Sequence, residues 1–213
     1  MADAVRTKEL SPREIVKTVL ERIDTLNPKL NTFYTITRET AIEEAKRAEQ
    51  VVAKGEPFGA LHGVPVSFKV SMITKDVQTT LGSRIFENSV PKEDAPLVER
   101  LKGAGVIILG KTTMPEFSWK GMTGSPLHGI ARNPWNPDYT LGGSSGDASA
   151  QVAAGMVRWR WGRTAAARYG FRPPSPTCMA SSRRSVACPS TRRAPSMRCP
   201  MPARSPERSR MRP

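Results

Sequence analysis

The feature that most limits what this chain can fold into is a break in composition at Val157. Up to Met156 there are 19 Lys plus Arg against 18 Asp plus Glu, a net charge of +1; from Val157 onward there are 14 Arg, no Lys and one acid, Glu207, a net charge of +13. Nearly all of the formal +14 of the 213-residue chain therefore lies in its last 57 residues. That tail also carries nine prolines and no sustained apolar period, which predicts disorder after about Met156. Any packed core has to come from the first 156 residues. The three cysteines, Cys178, Cys188 and Cys199, are all in the tail, at spacings of ten and eleven that match no zinc pattern. The only histidines, His62 and His128, are far upstream, so no metal site is expected. No run of eighteen apolar residues occurs and "MADAVRTKELSPRE" has no apolar leader core, so the expected setting is the reduced cytoplasm, away from membranes.

The first 156 residues read as an α/β protein. In "SPREIVKTVLERID", Ser11 stands at an N-cap, Pro12 at the first helical position and Glu14 where a capping box needs it; Ile15, Val16, Val19 and Ile23 are spaced for one buried face. "NTFYTIT", Asn31 to Thr37, reads as a strand, and "RETAIEEAKRAEQVVAKG" as an amphipathic helix closed by Gly55. "LHGVPVSFKV" reads as a turn feeding a buried strand, and "DAPLVERLKGAGVIILGKT" as a helix, a Gly-rich stop and a strand from Val106 to Leu109. This alternation predicts a mixed β-sheet core covered by helices.

"NPWNPDYTLGGSSGDASAQVAAGM" differs in kind. Two Asn-Pro pairs and Gly142, Gly143 and Gly146 hold the backbone out of regular structure until Asp147, after which small residues suit a tightly packed helix. A Gly-rich loop leading into a helix fits phosphate cradles, anion sites and plain turns alike, and this one lacks the Lys-Ser/Thr ending of a nucleotide-binding loop. Ser144 and Ser145 fit helix capping as well as nucleophilic chemistry, and the latter needs a base, because a free hydroxyl is a poor nucleophile near neutral pH. Neither histidine has a triad-like setting. A desolvated lysine can serve, and Lys69 is the candidate, at the end of the apolar strand "VPVSF"; the competing reading is a strand-end lysine that reaches water.

The segments "LHGVPVSFK", "TTLGS", "DAPLVERLKGAGVIILGKTTMPEFSWKG", "GIARNPWNP" and "GGSSG...SAQVAAGM" together resemble the amidase signature family of Ser-cisSer-Lys amide hydrolases, over roughly Ser11 to Met156. The resemblance implies that Lys69 is the base, that Ser144, preceded by a cis peptide, passes the proton, and that Gly142, Gly143 and Ser145 form the substrate-side loop. It implies no cofactor and no metal. Two residues depart from the pattern: Val70 stands where an Asp usually follows the lysine, and Asp147 stands where a second closing glycine is usual. Asp147 can cap the helix, but a buried carboxylate beside the relay would hold the lysine charged and weaken it as a base.

The family's acyl-accepting serine falls about 24 residues after the relay serine, in a segment like "GTDGGGSIRIP" that also supplies the oxyanion hole. Here that count arrives at Arg168, and no serine occurs between Ser149 and Ser175. The protein letters themselves suggest why. Joining the third base of each codon from Val157 to the first two of the next permits Pro-Leu-Ala-Leu-Gly-Thr-Asp-Gly-Gly-Gly-Ser-Ile-Arg-Phe-Pro, whose serine straddles Ala167 and Arg168. The remaining tail permits further amidase-like wording in the same register. Loss of one base near codon 157 accounts for the whole tail, including the alternating Arg and Trp. Phosphate contacts and stacking by such a segment would then be incidental, so no specific nucleic-acid partner is expected.

The expected organisation is thus residues 1–156 as the N-terminal part of an amidase signature domain and 157–213 as an out-of-frame tail. The intact parent is expected to hydrolyse a small carboxamide, as a free-amide hydrolase or as the glutamine-hydrolysing component of a tRNA-dependent amidotransferase. The chain as written is expected to be inactive and poorly folded. A non-catalytic binding or decoy fragment is the alternative.

Overall fold

The computed structural model describes residues 1–157 and the short strand Arg160–Trp161. A short helix, α1 (Ala2–Arg6), precedes α2 (Pro12–Leu30), whose N-cap Ser11 accepts from the backbone N–H of Arg13 and Glu14 at 3.2 and 3.3 Å and donates to the Glu49 carboxylate. Val16, Leu20 and Ile23 form the buried stripe of α2, with Ile15 and Val19 half-buried at its margin. The helix continues through Pro28, further than its periodicity predicts. Its end is tied down by Asn27, whose Oδ1 accepts from the N–H of Thr32 and Phe33 at 2.9 and 2.8 Å, and Asn31 closes it in the left-handed conformation (φ 50°). β1 (Phe33–Ile36) leads into α3 (Arg38–Lys54), closed as expected by Gly55 in the left-handed conformation.

β2 (Pro65–Lys69), α4 (Pro96–Gly103) and β3 (Ile107–Thr112) follow. The sheet order is β1-β3-β2-β6, with β1 antiparallel to β3, and β6 (Arg160–Trp161) and β3 parallel to β2 on either side of it. The sheet is mixed, as the alternation of elements predicts. Apolar side chains leave it on both faces. Ile107 and Leu109 pack with Val16, Leu20 and Ala45 of α2 and α3, whereas Val66, Phe68 and Ile108 pack with Val98 and Leu101 of α4. Burying helices against both faces supplies the hydrophobic drive for the fold. Beyond the sheet lie a minimal hairpin of β4 (Gly124–Ser125) and β5 (Gly129–Ile130), and then α5 (Gly146–Ala153).

β3 runs to Thr112, three residues past the expected Leu109, because its register slips. Val66 pairs with Ile108 but Ser67 pairs with Gly110, so one residue of β3 is skipped. Gly110 (φ 149°) permits this: a Cβ there would lie 2.1 Å from the Thr35 carbonyl oxygen. The slip inverts the facing of every later residue of β3. Lys111 pairs with Phe68 and shares its face, while Lys69 pairs with Thr112 on the other.

Most of the tail expected to be disordered lies outside the described residues. At its start Val157 is buried in the core with Met156, and β6 pairs with β2 at Ser67 and Phe68. Strand pairing uses backbone groups, which any sequence but proline supplies.

Candidate functional site

Lys69 is the last residue of β2, and the strand's period of two puts it on the same face as Ser67. It does not reach water: the residue is 0% exposed, and its Nζ donates to Ser144 Oγ at 3.0 Å and Ser145 Oγ at 3.1 Å. The two serines lie 75 and 76 residues further along the chain, so the contact is made entirely by the fold.

Three devices hold the serine loop. The Gly143–Ser144 peptide is cis, as the resemblance implies, and Gly142 is left-handed (φ 70°). Gly143 packs directly on backbone, since a Cβ there would lie 2.7 Å from the Met122 carbonyl carbon. Thr123 laces the loop from the same segment: its Oγ1 donates to the Gly142 carbonyl at 2.8 Å and accepts from the Gly146 N–H at 3.1 Å. α5 is fixed to the sheet by a buried amide, with Ser67 Oγ donating to Gln151 Oε1 at 2.8 Å and Gln151 Nε2 donating to the Thr32 carbonyl at 3.1 Å. The helix starts at Gly146, so Asp147 sits in its first turn, fully buried, and is not the cap. Val70 is buried too, its N–H donating to the Thr112 carbonyl at 3.2 Å.

The histidines take no part in this cluster. His62 Nε2 lies 3.0 Å from the Ala48 carbonyl, and the ring stacks on Phe58. His128 is buried with Nε2 2.7 Å from Thr80 Oγ1 and its ring 4.1 Å from that of Tyr34. Burial pushes its pKa down to about 4, against a smaller opposing effect of the Met114 backbone. The imidazole is neutral at pH 7.

A second buried lysine was not expected. Lys111 Nζ donates to the Met72 carbonyl and, at 2.6 Å, to Thr74 Oγ1. Burial pushes its pKa down to about 7; the Asp94 carboxylate opposes the shift and the Lys102 ammonium adds to it. Asp94 in turn pairs with Lys102 at 2.6 Å and accepts from the Lys75 N–H at 2.7 Å. Neither Lys111 nor Thr123 and Gln151 has a local pattern that singles it out, because the partners of each are distant in sequence.

Arg168, the place expected for the acyl acceptor, and Cys178, Cys188 and Cys199 lie outside the described residues. Among the described residues no three His, Cys, Asp or Glu side chains are grouped to hold a metal ion. No described helix is long and apolar enough to cross a membrane.

The amidase family model matches residues 14–162. Among curated relatives, a glutamyl-tRNA(Gln) amidotransferase component from Carboxydothermus hydrogenoformans is 39% identical over 155 residues, covering 73% of this chain and 32% of the relative. The indoleacetamide hydrolase of Bradyrhizobium diazoefficiens is 41% identical, covering 73% and 30% respectively. A bacterial aryl acylamidase of the amidase signature family superposes with a TM-score of 0.70 at 32% identity, covering 73% of this chain and 33% of that one. The chain thus spans about a third of the length of the relatives it matches. With the amidase model matching well over half of its residues, and with the mixed sheet of its relatives, the chain belongs to the amidase signature family.

Proposed function

We propose that the described residues are the base and proton-relay portion of a carboxamide hydrolase whose acyl-accepting serine this chain does not encode. The observation that carries the reading is Lys69 Nζ, fully buried and 3.0 Å from Ser144 Oγ. A hydroxyl both donates and accepts, so a proton can pass along this pair in either direction. In the complete reaction, a serine hydroxyl gives its proton through Ser144 to Lys69 as its oxygen bonds to the amide carbon. The proton returns to the nitrogen as the C–N bond breaks and the amine leaves. Water, deprotonated along the same path, then cleaves the acyl ester to release the acid. Backbone N–H groups of the absent segment would hold the oxyanion. Gly142, Gly143 and Ser145 shape the loop, with Ser145 Oγ as the second acceptor of Lys69. The substrate is a small amide; relatives named as an indoleacetamide hydrolase and as amidotransferase components share carbon–nitrogen chemistry at a carboxamide.

The test is to restore one base before codon 157 and assay ammonia release from simple carboxamides. The restored protein should turn over, and Lys69→Met and Ser144→Ala should each lower kcat by about a thousandfold or more, as loss of a member of a catalytic relay does. Full turnover by either variant would refute the assignment.

A further inference from the structure

A groove lies where the second half of α2, the Asn-Pro loop and the end of α5 meet. It encloses about 270 Å³, close to the lower end of the range of small-molecule sites. Arg22, Leu26 and Lys29 line it from one stripe of α2, Trp135 and Pro137 from the loop, and Ala154 from the end of α5. α5 is eight residues long, so the groove sits about 12 Å from the serine loop at the other end of that helix. Its parts are tied together. The Arg132 N–H donates to the Leu30 carbonyl at 2.8 Å, fixing the loop to the end of α2, and Arg22 Nε donates to the Ala154 carbonyl at 2.9 Å, fixing α2 to α5. The loop is stiff in itself, since buried Asn133 accepts from the Trp135 N–H at 2.9 Å and Pro134 and Pro137 have fixed φ. Trp135 nevertheless stays 60% exposed, with an aromatic face to offer.

The charge of the groove is one-sided. Arg22 and Lys29 are the only charged residues among those described that line it. The acids nearest them in sequence are matched elsewhere, Glu21 by Lys17 and Asp24 by Arg38, and no described residue forms an ion pair with Arg22 or Lys29. We infer that the groove binds a small aromatic carboxylate, its ring on Trp135 and Leu26 and its carboxylate on the Arg22 guanidinium, with Lys29 adding to the positive field. A guanidinium offers a carboxylate a planar fork, and an apolar lining with a few polar groups is the usual make-up of such sites. Larger occupants from this chain carry the wrong charge: the segment from Val157 has a net charge of +13 and a second copy has +14. The inference does not rest on the functional proposal above, because none of these residues belongs to the relay.

The test titrates naphthalene-2-carboxylate into the full 213-residue chain by calorimetry at low ionic strength. One-to-one binding with a Kd of about 1 mM or tighter is expected, which a ligand of this size reaches at ordinary efficiency. The uncharged methyl ester and inorganic phosphate should each bind at least about tenfold more weakly, the first for want of charge and the second for want of a ring. Arg22→Met should weaken the carboxylate about tenfold and Lys29→Met about threefold. Arg22→Met also removes the tie to Ala154, so Trp135→Ala, which leaves α2 and α5 untouched, is the independent variant; it should cost about fivefold or more. Lys46→Met, which removes an exposed cation from α3, should leave binding unchanged, and circular dichroism of every variant checks that the fold is kept. Three outcomes overturn the inference: no binding of the carboxylate, equal binding of the ester or of phosphate, or carboxylate binding indifferent to both Arg22→Met and Trp135→Ala.

Discussion

Lys69 and Lys111 are both fully buried and stand at adjoining places on neighbouring strands, yet they are suited to different work. The slip at Gly110 sends them to opposite faces of the sheet. Lys69 ends on two serine hydroxyls, whereas Lys111 ends on a backbone carbonyl, which only accepts, and on Thr74. A lysine that points at a carbonyl has to donate, and so fastens the Met72–Thr74 turn that follows β2. Both lysines also meet a hydroxyl, and what separates them under the proposed function is where it sits: Ser144 and Ser145 are on the Gly-rich loop before α5, Thr74 on the segment after β2. Burial alone therefore does not single out the lysine proposed as the base; the loop that carries its hydroxyl partners does.

The widest separation between the two is expected in rate. In the frame-restored protein Lys69→Met should cost on the order of 10⁴ in kcat, about 5.5 kcal/mol of barrier, while Lys111→Met should change kcat less than tenfold. Equal losses on steady-state assay would remove the distinction. Next in size is a pH effect confined to Lys111. Its folded pKa of about 7 lies below the ordinary value of 10.5, so between these values the unfolded chain holds a proton that the folded one has released. The Lys111 contribution to stability should then rise with pH, by about 1.4 kcal/mol per unit between pH 7 and 9, and flatten below pH 7, where the depressed pKa of His128 adds a separate dependence between about 4 and 6.5. Urea midpoints at pH 7 and 9 should show this rise in the parent chain and its loss in Lys111→Met.

Smaller effects probe the surroundings of each lysine. Asp147 is buried three residues after Ser144, and a carboxylate close to an amine favours its charged form, so Asp147→Gly in the frame-restored protein should raise kcat about tenfold at neutral pH. No gain in kcat would remove Asp147 from the account. On the other face, Thr74→Val takes one acceptor from Lys111 and should cost about 1 kcal/mol in urea unfolding with no change in rate.

What could be read from the sequence follows the range of the interactions involved. Ser11, Pro12 and Gly55 act within a turn of their own helices, and each does what its local pattern predicts. β2 is legible because a short apolar run between turn residues has few alternatives, and the end of that run marks Lys69. Local rules end α2 too early because its apolar stripe is read only as far as Ile23, whereas the bonds that hold the helix end come from the Asn27 side chain. Lys111 is invisible to them because "GKT" looks like the exit from a strand; only the slip at Gly110 and the Met72 carbonyl, 39 residues away, make it interior. The same holds for the tie between Ser67 and Gln151, which spans 84 residues.

The most direct test of a base and relay without an acyl acceptor is intact-mass measurement after exposure to an activated acyl ester. The frame-restored protein should gain one acyl group, on the serine regained at the place of Arg168, and the 213-residue chain should gain none. Acylation of the 213-residue chain at Ser144 or Ser145 would contradict the account.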